Sequence, residues 1–285
     1  MEQKRHLLRF SSWQQAVRDW DDGAVDAQNT QPIRGLSQLP KIPGISKETA
    51  PFLKWKSLKW MIAKDENWAI AKYVLKRPFR HAWRYLVSLI KRKPYIRDDD
   101  FFLYGINNVN EFKKLLNNPK SVFVVGFSYC EKPHECPSGR FNDQCIHDPE
   151  NLVCRQCFIG KSVNLLPTER TVPLFIPTIH YIGQKIFETI ERYPNNEIVF
   201  LITACELTLE MFGDWGNLAG VKGIGVRLDG RICNTMRAFE LSETGIKPGL
   251  TVVLEHTQKR ILDLLEHWSS KNDQKVGNTC CSTGK

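Results

Sequence analysis

The chain has 285 residues, 42% of them hydrophobic, enough for one sizeable core with or without an extension. Its formal charge of +9 and pI near 9.1 are moderately basic, and its nine cysteines are too sparse for a small disulfide scaffold. No apolar signal region follows Met1 to Phe10 and no apolar run is long enough to span a bilayer, so the expected compartment is cytoplasmic, with membrane association left open, and clustered thiols there serve metals or redox groups.

Residues 1 to 30 are polar. Trp13, Val17 and Trp20 recur at helical spacing behind Ser12, a candidate N-cap. They predict a short amphipathic helix that docks on the rest of the protein, with a loosely ordered terminus as the alternative. Pro32, Gly35, Pro40, Pro43 and Gly44 make residues 31–45 a linker. Three helical patterns follow. Phe52, Trp55, Leu58 and Ile62 line one face of the first, and the second covers Trp68 to Lys76. The third runs from Phe79 to Lys93, with Trp83, Leu86 and Ile90 as its stripe. Lys72, Lys76, Arg77, Arg80, Arg84, Lys91, Arg92 and Lys93 are interleaved here with Trp55, Trp60, Trp68, Tyr73 and Trp83. Such a face suits an anionic membrane surface or, less readily, nucleic acid. The plainer reading packs the aromatic stripe on the main domain and leaves the charges in water. Asp98, Asp99 and Asp100 read as a loop or helix start, because adjacent carboxylates do not face one point.

After a short helix at Val109 to Leu116 the period changes. VFVVGFS (122–128), VPLFIPT (172–178), EIVFLITA (197–204) and GIGVRL (223–228) are continuous apolar runs, as expected of strands buried on both faces. VVL (252–254) is either a fifth strand or the start of the last helix. Helical patterns at Ile179 to Arg192, Glu206 to Phe212 and Thr235 to Leu241 alternate with the strands, and the last helix runs to about Trp268. The expected fold class is α/β, a mainly parallel sheet of four to five strands with flanking helices, preceded by a basic helical extension. The expected division is an extension at 1–118, a cysteine-rich domain at 119–270 and a disordered tail at 271–285. Cys280 and Cys281 in that tail read as bystanders.

In open α/β sheets, ligands bind beyond the carboxyl ends of the strands. Cys130 follows the first run, Cys205 the third and Cys233 the fourth, with His180 just past the second. Cys154 and Cys157 form a C-x2-C pair, and Cys136 and Cys145 lie upstream as a second pair, with His134 and His147 as spare candidates. Four thiolates suit either zinc or an iron–sulfur cluster. One scheme puts Cys136, Cys145, Cys154 and Cys157 in a structural site, and Cys130, Cys205 and Cys233 in a second with an open position. A single cluster with spare cysteines is the alternative. Gly160-Lys161-Ser162 lacks the earlier glycine of a phosphate loop, and Gly223-Ile224-Gly225 precedes a strand instead of following one, so neither is a nucleotide motif.

These residues carry a resemblance. The strand into Cys130, Cys136-Pro137, Cys154-Arg-Gln-Cys157-Phe-Ile-Gly160, Ala204-Cys205-Glu206-Leu207, Gly225 to Leu228, Gly230 and Cys233-Asn234-Thr235 resemble the DUF 116 family of cysteine-rich archaeal and bacterial proteins. The resemblance covers residues 120–245 and implies metal binding through the cysteines, with no established reaction. The family pattern has a further cysteine three residues before the C-x2-C pair. Asn151 stands there in this chain, and Cys145 is the substitute from upstream.

Together these features point to a metal-thiolate protein, iron–sulfur or zinc, with a redox or enzymatic role toward an unidentified small molecule or protein. The alternative is a non-catalytic module with a structural metal. It would dock on a membrane surface, a partner protein or nucleic acid through the basic helices.

Overall fold

The computed structural model describes residues 6–35, 42, 44–91 and 93–279, with side chains except at 67 and 271–279. Pro40, Pro43, Arg92, Cys280 and Cys281 lie outside the described residues. The first long helix is α1 (Trp13–Thr30), capped by the Ser12 hydroxyl, which accepts from the Gln15 amide at 3.3 Å. Next come α2 (Leu53–Ala63), α3 (Ala69–Lys76) and α4 (Pro78–Ile90). Pro78 sits in the first turn of α4, where its missing N–H costs no helical bond. A hairpin of β1 (Ile96–Asp98) and β2 (Phe101–Tyr104) leads to α5 (Val109–Asn117), capped by Asn108. The central run is β3 (Ser121–Ser128), α6 (Leu152–Gln156), α7 (Phe158–Asn164), β4 (Thr171–Ile176), α8 (Ile179–Arg192), β5 (Glu197–Ala204), α9 (Glu206–Ala219) and β6 (Lys222–Arg227). The chain closes with β7 (Asp229–Gly230), α10 (Met236–Ser242), β8 (Thr251–Val252) and α11 (Glu255–Thr279).

The sheet runs β1-β2-β6-β5-β3-β4. β6, β5, β3 and β4 are mutually parallel, with Val124 opposite Val172 and Phe200, and Leu201 opposite Ile224. β2 joins antiparallel to β6, Phe102 opposite Gly225. Alternate residues serve opposite faces. Val122, Val124, Ile198 and Phe200 meet α8 and α9; Phe123, Val125, Val199 and Leu201 meet α5, α7 and α11. From β3 the chain leaves outward to β4 past α7, and from β5 it leaves the other way to β6 past α9. The connections therefore diverge between β3 and β5, and a crevice opens at their carboxyl ends.

The α/β class and mainly parallel sheet are as the sequence predicts, but the sheet has six strands among the described residues. Two of them, β1 and β2, fall before residue 118. Asp98 to Asp100 is the hairpin turn, with Asp99 at φ 56°, and not a helix start. Val252 pairs with Asp229 in a two-residue ribbon outside the main sheet, so the VVL run is neither a fifth core strand nor a helix start. α11 continues to Thr279, where a disordered tail was expected from 271. No proline interrupts its backbone ladder there.

Candidate functional site

Two groups of thiols lie at the carboxyl side of the sheet. The first is at the crevice. Cys130 sits in the 3-10 turn directly after β3, Cys205 is the residue before α9, and Cys233 lies on the loop before α10. Cys205 and Cys233 are hydrogen-bonded to each other, and Cys205 Sγ lies 3.0 Å from the Thr208 hydroxyl. Lys247 Nζ donates to Cys233 Sγ at 3.1 Å. Burial alone would depress the Lys247 ammonium, but the sulfurs of Cys130, Cys233 and Cys205 together raise its pKa. The bond from Cys205 and, against the cost of burial, the charge of Lys247 draw the Cys233 pKa down, while that of Cys205 rises. The two thiols therefore titrate as a pair. Beside them the Glu131 carboxyl, hydrogen-bonded by the Thr203 hydroxyl, is pushed up to about 8 by burial.

The second group surrounds the C-x2-C turn. Cys154 lies in α6 and Cys157 between α6 and α7. Asn151, at the position of the extra family cysteine, caps α6 by accepting from Val153 and Cys154 amides at 3.0 and 3.2 Å. Cys136 and Cys145 stand on the loop after β3, and that loop folds around one side chain. Lys132 is 1% exposed and donates to the carbonyls of Gly139 (3.4 Å), Asn142 (3.0 Å) and Gln144 (2.6 Å), and to Asn142 Oδ1 (2.9 Å). Cys136, Cys145, Cys154 and Cys157 line a small cavity of about 10 Å³ together with Lys132 and His147. Burial pushes Cys154 and Cys157 up to about 12 and raises Cys145. Arg140 ties the two groups together. It donates to the carbonyls of Lys132 at 3.0 Å, Cys130 at 3.3 Å and Lys247 at 2.8 Å.

The donor chemistry fits a thiophilic metal, and the spacing sets a limit. A tetrahedral zinc with bonds of about 2.3 Å holds its sulfurs close together. Among the described residues the one trio of ligand atoms lying within 4.8 Å of each other is Asp99, Asp100 and His256, so neither thiol group is a closed zinc cage as it stands. That acidic trio is already engaged, because Asp100 binds Arg227 at 2.7 Å and Thr257 at 2.7 Å. Two of three adjacent carboxylates do converge after all, because the hairpin turn folds Asp99 back beside Asp100.

The expected basic residues divide. Lys72, Arg77, Arg80 and Lys91 are exposed. Lys76 pairs with Glu191, Lys93 lies 3.6 Å from Glu210, and Arg84 donates to the Ala219 carbonyl at 3.1 Å. Those three fasten the arm to the core, and Arg92 is outside the described residues. His180 Nε2 faces the Met61 carbonyl at 3.4 Å, not the thiols, while His147 is at the four-thiol cavity. An apolar cavity of about 130 Å³ lies between α8, α9 and the arm, and Thr208, the partner of Cys205, is in its wall.

Sequence reasoning missed Lys132, Lys247 and Glu131. Lys132 and Glu131 adjoin Cys130 in the chain and could have been flagged by that adjacency. Lys247 carries no local signal, since only the fold brings it to Cys233. Comparison with family models, curated proteins and solved structures gave no match.

Proposed function

We propose that the chain is a metal-thiolate protein of the kind the DUF 116 resemblance implies, holding zinc or an iron–sulfur cluster. Cys136, Cys145, Cys154 and Cys157 would form a structural site. Cys130, Cys205 and Cys233 would form an open one with a redox or enzymatic role. One observation carries the reading. Each thiol group has a lysine beside it: Lys247 bonds Cys233 Sγ, and Lys132 lines the cavity with Cys136, Cys145, Cys154 and Cys157. Lys132 is almost fully buried, and a buried cation among neutral oxygens is costly unless negative charge stands near it. Beside Asp143, thiolates of Cys136, Cys145 and Cys157 would supply it, and thiolate is the form in which cysteine binds metal. Burial keeps Cys154 and Cys157 protonated in the structure, so loading must release protons and strengthen as pH rises. At the crevice, Lys247 would balance the charge of the bound group and Glu131, protonated at neutral pH, could give up a proton beside it.

Anaerobic purification with metal and sulfide analysis tests this. Bound iron with sulfide and a brown colour selects a cluster, and stoichiometric zinc selects the other arm. Replacing Cys154 and Cys157 with serine should remove metal and lower the melting temperature. Unchanged metal content would exclude both from the ligand set. Cys130→Ser should leave soluble protein, and its loss would count against an independent open site.

A second reading keeps the metal structural and makes docking the function, on a membrane surface, a partner protein or nucleic acid. It is favoured by the exposed Lys72, Arg77, Arg80 and Lys91. A colourless zinc protein that binds anionic vesicles would support it.

A further inference from the structure

We infer that the outward face of α2 and α4 docks on an anionic lipid bilayer, seating a double row of aromatic and aliphatic side chains at headgroup depth. This rests on the docking reading and is independent of what the thiols hold.

The rows face the wrong way for a helix that only packs on a core. Phe52, Trp55 and Ile62 are 75%, 69% and 69% exposed, and Phe79, Trp83, Leu86 and Ile90 are 90%, 70%, 53% and 85% exposed. Positions 55, 59 and 62, and 79, 83, 86 and 90, advance by three and four residues, so each set is one helix face, and Phe52 stands at the cap of α2. The inward positions mix polar and apolar side chains, with Met61 buried and Leu53, Trp60 and Tyr85 packed on the core. Ser57 accepts from Trp215 at 2.8 Å, His81 Nδ1 donates to the Leu218 carbonyl at 3.0 Å, and Ser88 bonds Asp214. A helix that merely covers a core does not carry a second apolar row facing water. Both helices pack on α9, and Lys54 of α2 donates to the Ser88 and Lys91 carbonyls at the end of α4, at 3.2 and 3.1 Å. Lys54 thus ties α2 to the end of α4 on the same side of α9. Trp68 and Leu75, each 69% exposed, add to the apolar area of the arm. Large apolar side chains exposed in helical rows mark an interaction site, unlike singly scattered ones.

Charge selects the occupant. Residues 53–91 hold ten Lys and Arg against two acids, a surplus of eight within a chain total of +9. Exposed Lys59, Lys72, Arg77, Arg80 and Lys91 accompany the rows. A second copy on a two-fold axis would press like charges together. Single-stranded RNA would use the charges and the tryptophans but not Ile62, Leu86 and Ile90. An anionic bilayer uses all of them, the cations at the lipid phosphates and the apolar rows beneath. Among the described residues no helix is long and apolar enough to cross a membrane, so the contact is interfacial.

The full chain is tested by flotation with phosphatidylcholine vesicles, with and without phosphatidylglycerol. The expected result is binding that requires the anionic lipid, weakens with salt and shifts tryptophan emission to the blue. Phe79→Ser with Trp83→Ser should weaken it about tenfold or more while leaving the melting curve unchanged, since neither side chain packs inside. No vesicle binding overturns both this inference and membrane docking. Binding lost in Lys72→Glu with Arg80→Glu but kept in the serine variant leaves charge-only docking and overturns insertion. A concentration-dependent dimer abolished by the serine pair, or tighter binding to single-stranded RNA than to vesicles, assigns the face to another occupant.

Discussion

Gly160 shows how much one missing side chain decides. A Cβ there would stand 2.3 Å from the Cys154 carbonyl oxygen and 3.2 Å from its carbon, both backbone atoms that no rotamer can move. The turn carrying Cys154 and Cys157 can fold back on α7 only because nothing projects from this position. Gly160→Ala should cost ~1–3 kcal/mol by overpacking, read from urea denaturation, and should lower metal uptake by spreading the two thiols. Unchanged stability would mean that the turn has slack. The lysines at the thiols make the same point about charge. Cysteine spacing was readable in the chain, but the cation at Cys233 was not, because Lys247 reaches it through a loop that Arg140 ties down.

Helix α1 lies against α6 and so over the C-x2-C turn. Trp20 is 1% exposed, the Arg155 guanidinium lies 4.8 Å from its ring, and Arg155 and Lys161 reach Asp19 and Asp21 at 2.7 and 2.5 Å. The spacing of Trp13, Val17 and Trp20 announces an amphipathic helix, yet periodicity names a buried face and never its partner. Trp20→Ala should cost ~3–5 kcal/mol, read by denaturation, and should speed alkylation of Cys154 and Cys157 in the metal-free protein. Alkylation at the unchanged rate would show that α1 does not shield the thiols. The arm is the opposite case. Phe52, Trp55, Trp83 and Ile90 do form helical stripes, as their spacing says. The expectation that such stripes turn inward fails for these four and holds for Trp60, because Ser57, Met61, His81, Tyr85 and Ser88 take the inward positions with it.

Asp100 joins segments far apart in the chain. It lies at the β1–β2 turn, is 2% exposed, and binds Arg227 of β6 and Thr257 of α11, each at 2.7 Å. Burial, the largest influence, pushes its carboxyl up, but the Thr257 and Arg227 bonds with the nearby charges outweigh it and hold its pKa below 3.8. A carboxyl lowered in the folded state adds stability above its unfolded pKa and loses it as pH falls through the folded one. Asp100→Asn should therefore destabilise most at neutral pH. Because Arg227 is 20% exposed, the cost should fall at or under the low end of the ~3–5 kcal/mol typical when a buried pair loses one partner. The difference from wild type should shrink below pH 3.8, measured by urea titration at two pH values. A difference independent of pH would show that the carboxylate charge is not what holds the joint.

The amino-acid order alone was sufficient for the four parallel strands. A strand buried on both faces must be apolar at every position, and 122–128, 172–178, 197–204 and 223–228 are nearly so. It also sufficed for the helices between them and for placing Cys130, Cys205 and Cys233 past strand ends, since each of these three follows such a run. Phe101 to Tyr104 escaped notice because four apolar residues beside three aspartates carry no period, and they become a strand only by pairing with Gly223 to Val226. The meeting of Lys247 with Cys233, the docking of α1 on α6 and the outward turn of the arm were settled by packing. Each is a relation between segments distant along the chain, where local spacing has nothing to say about who the neighbour is.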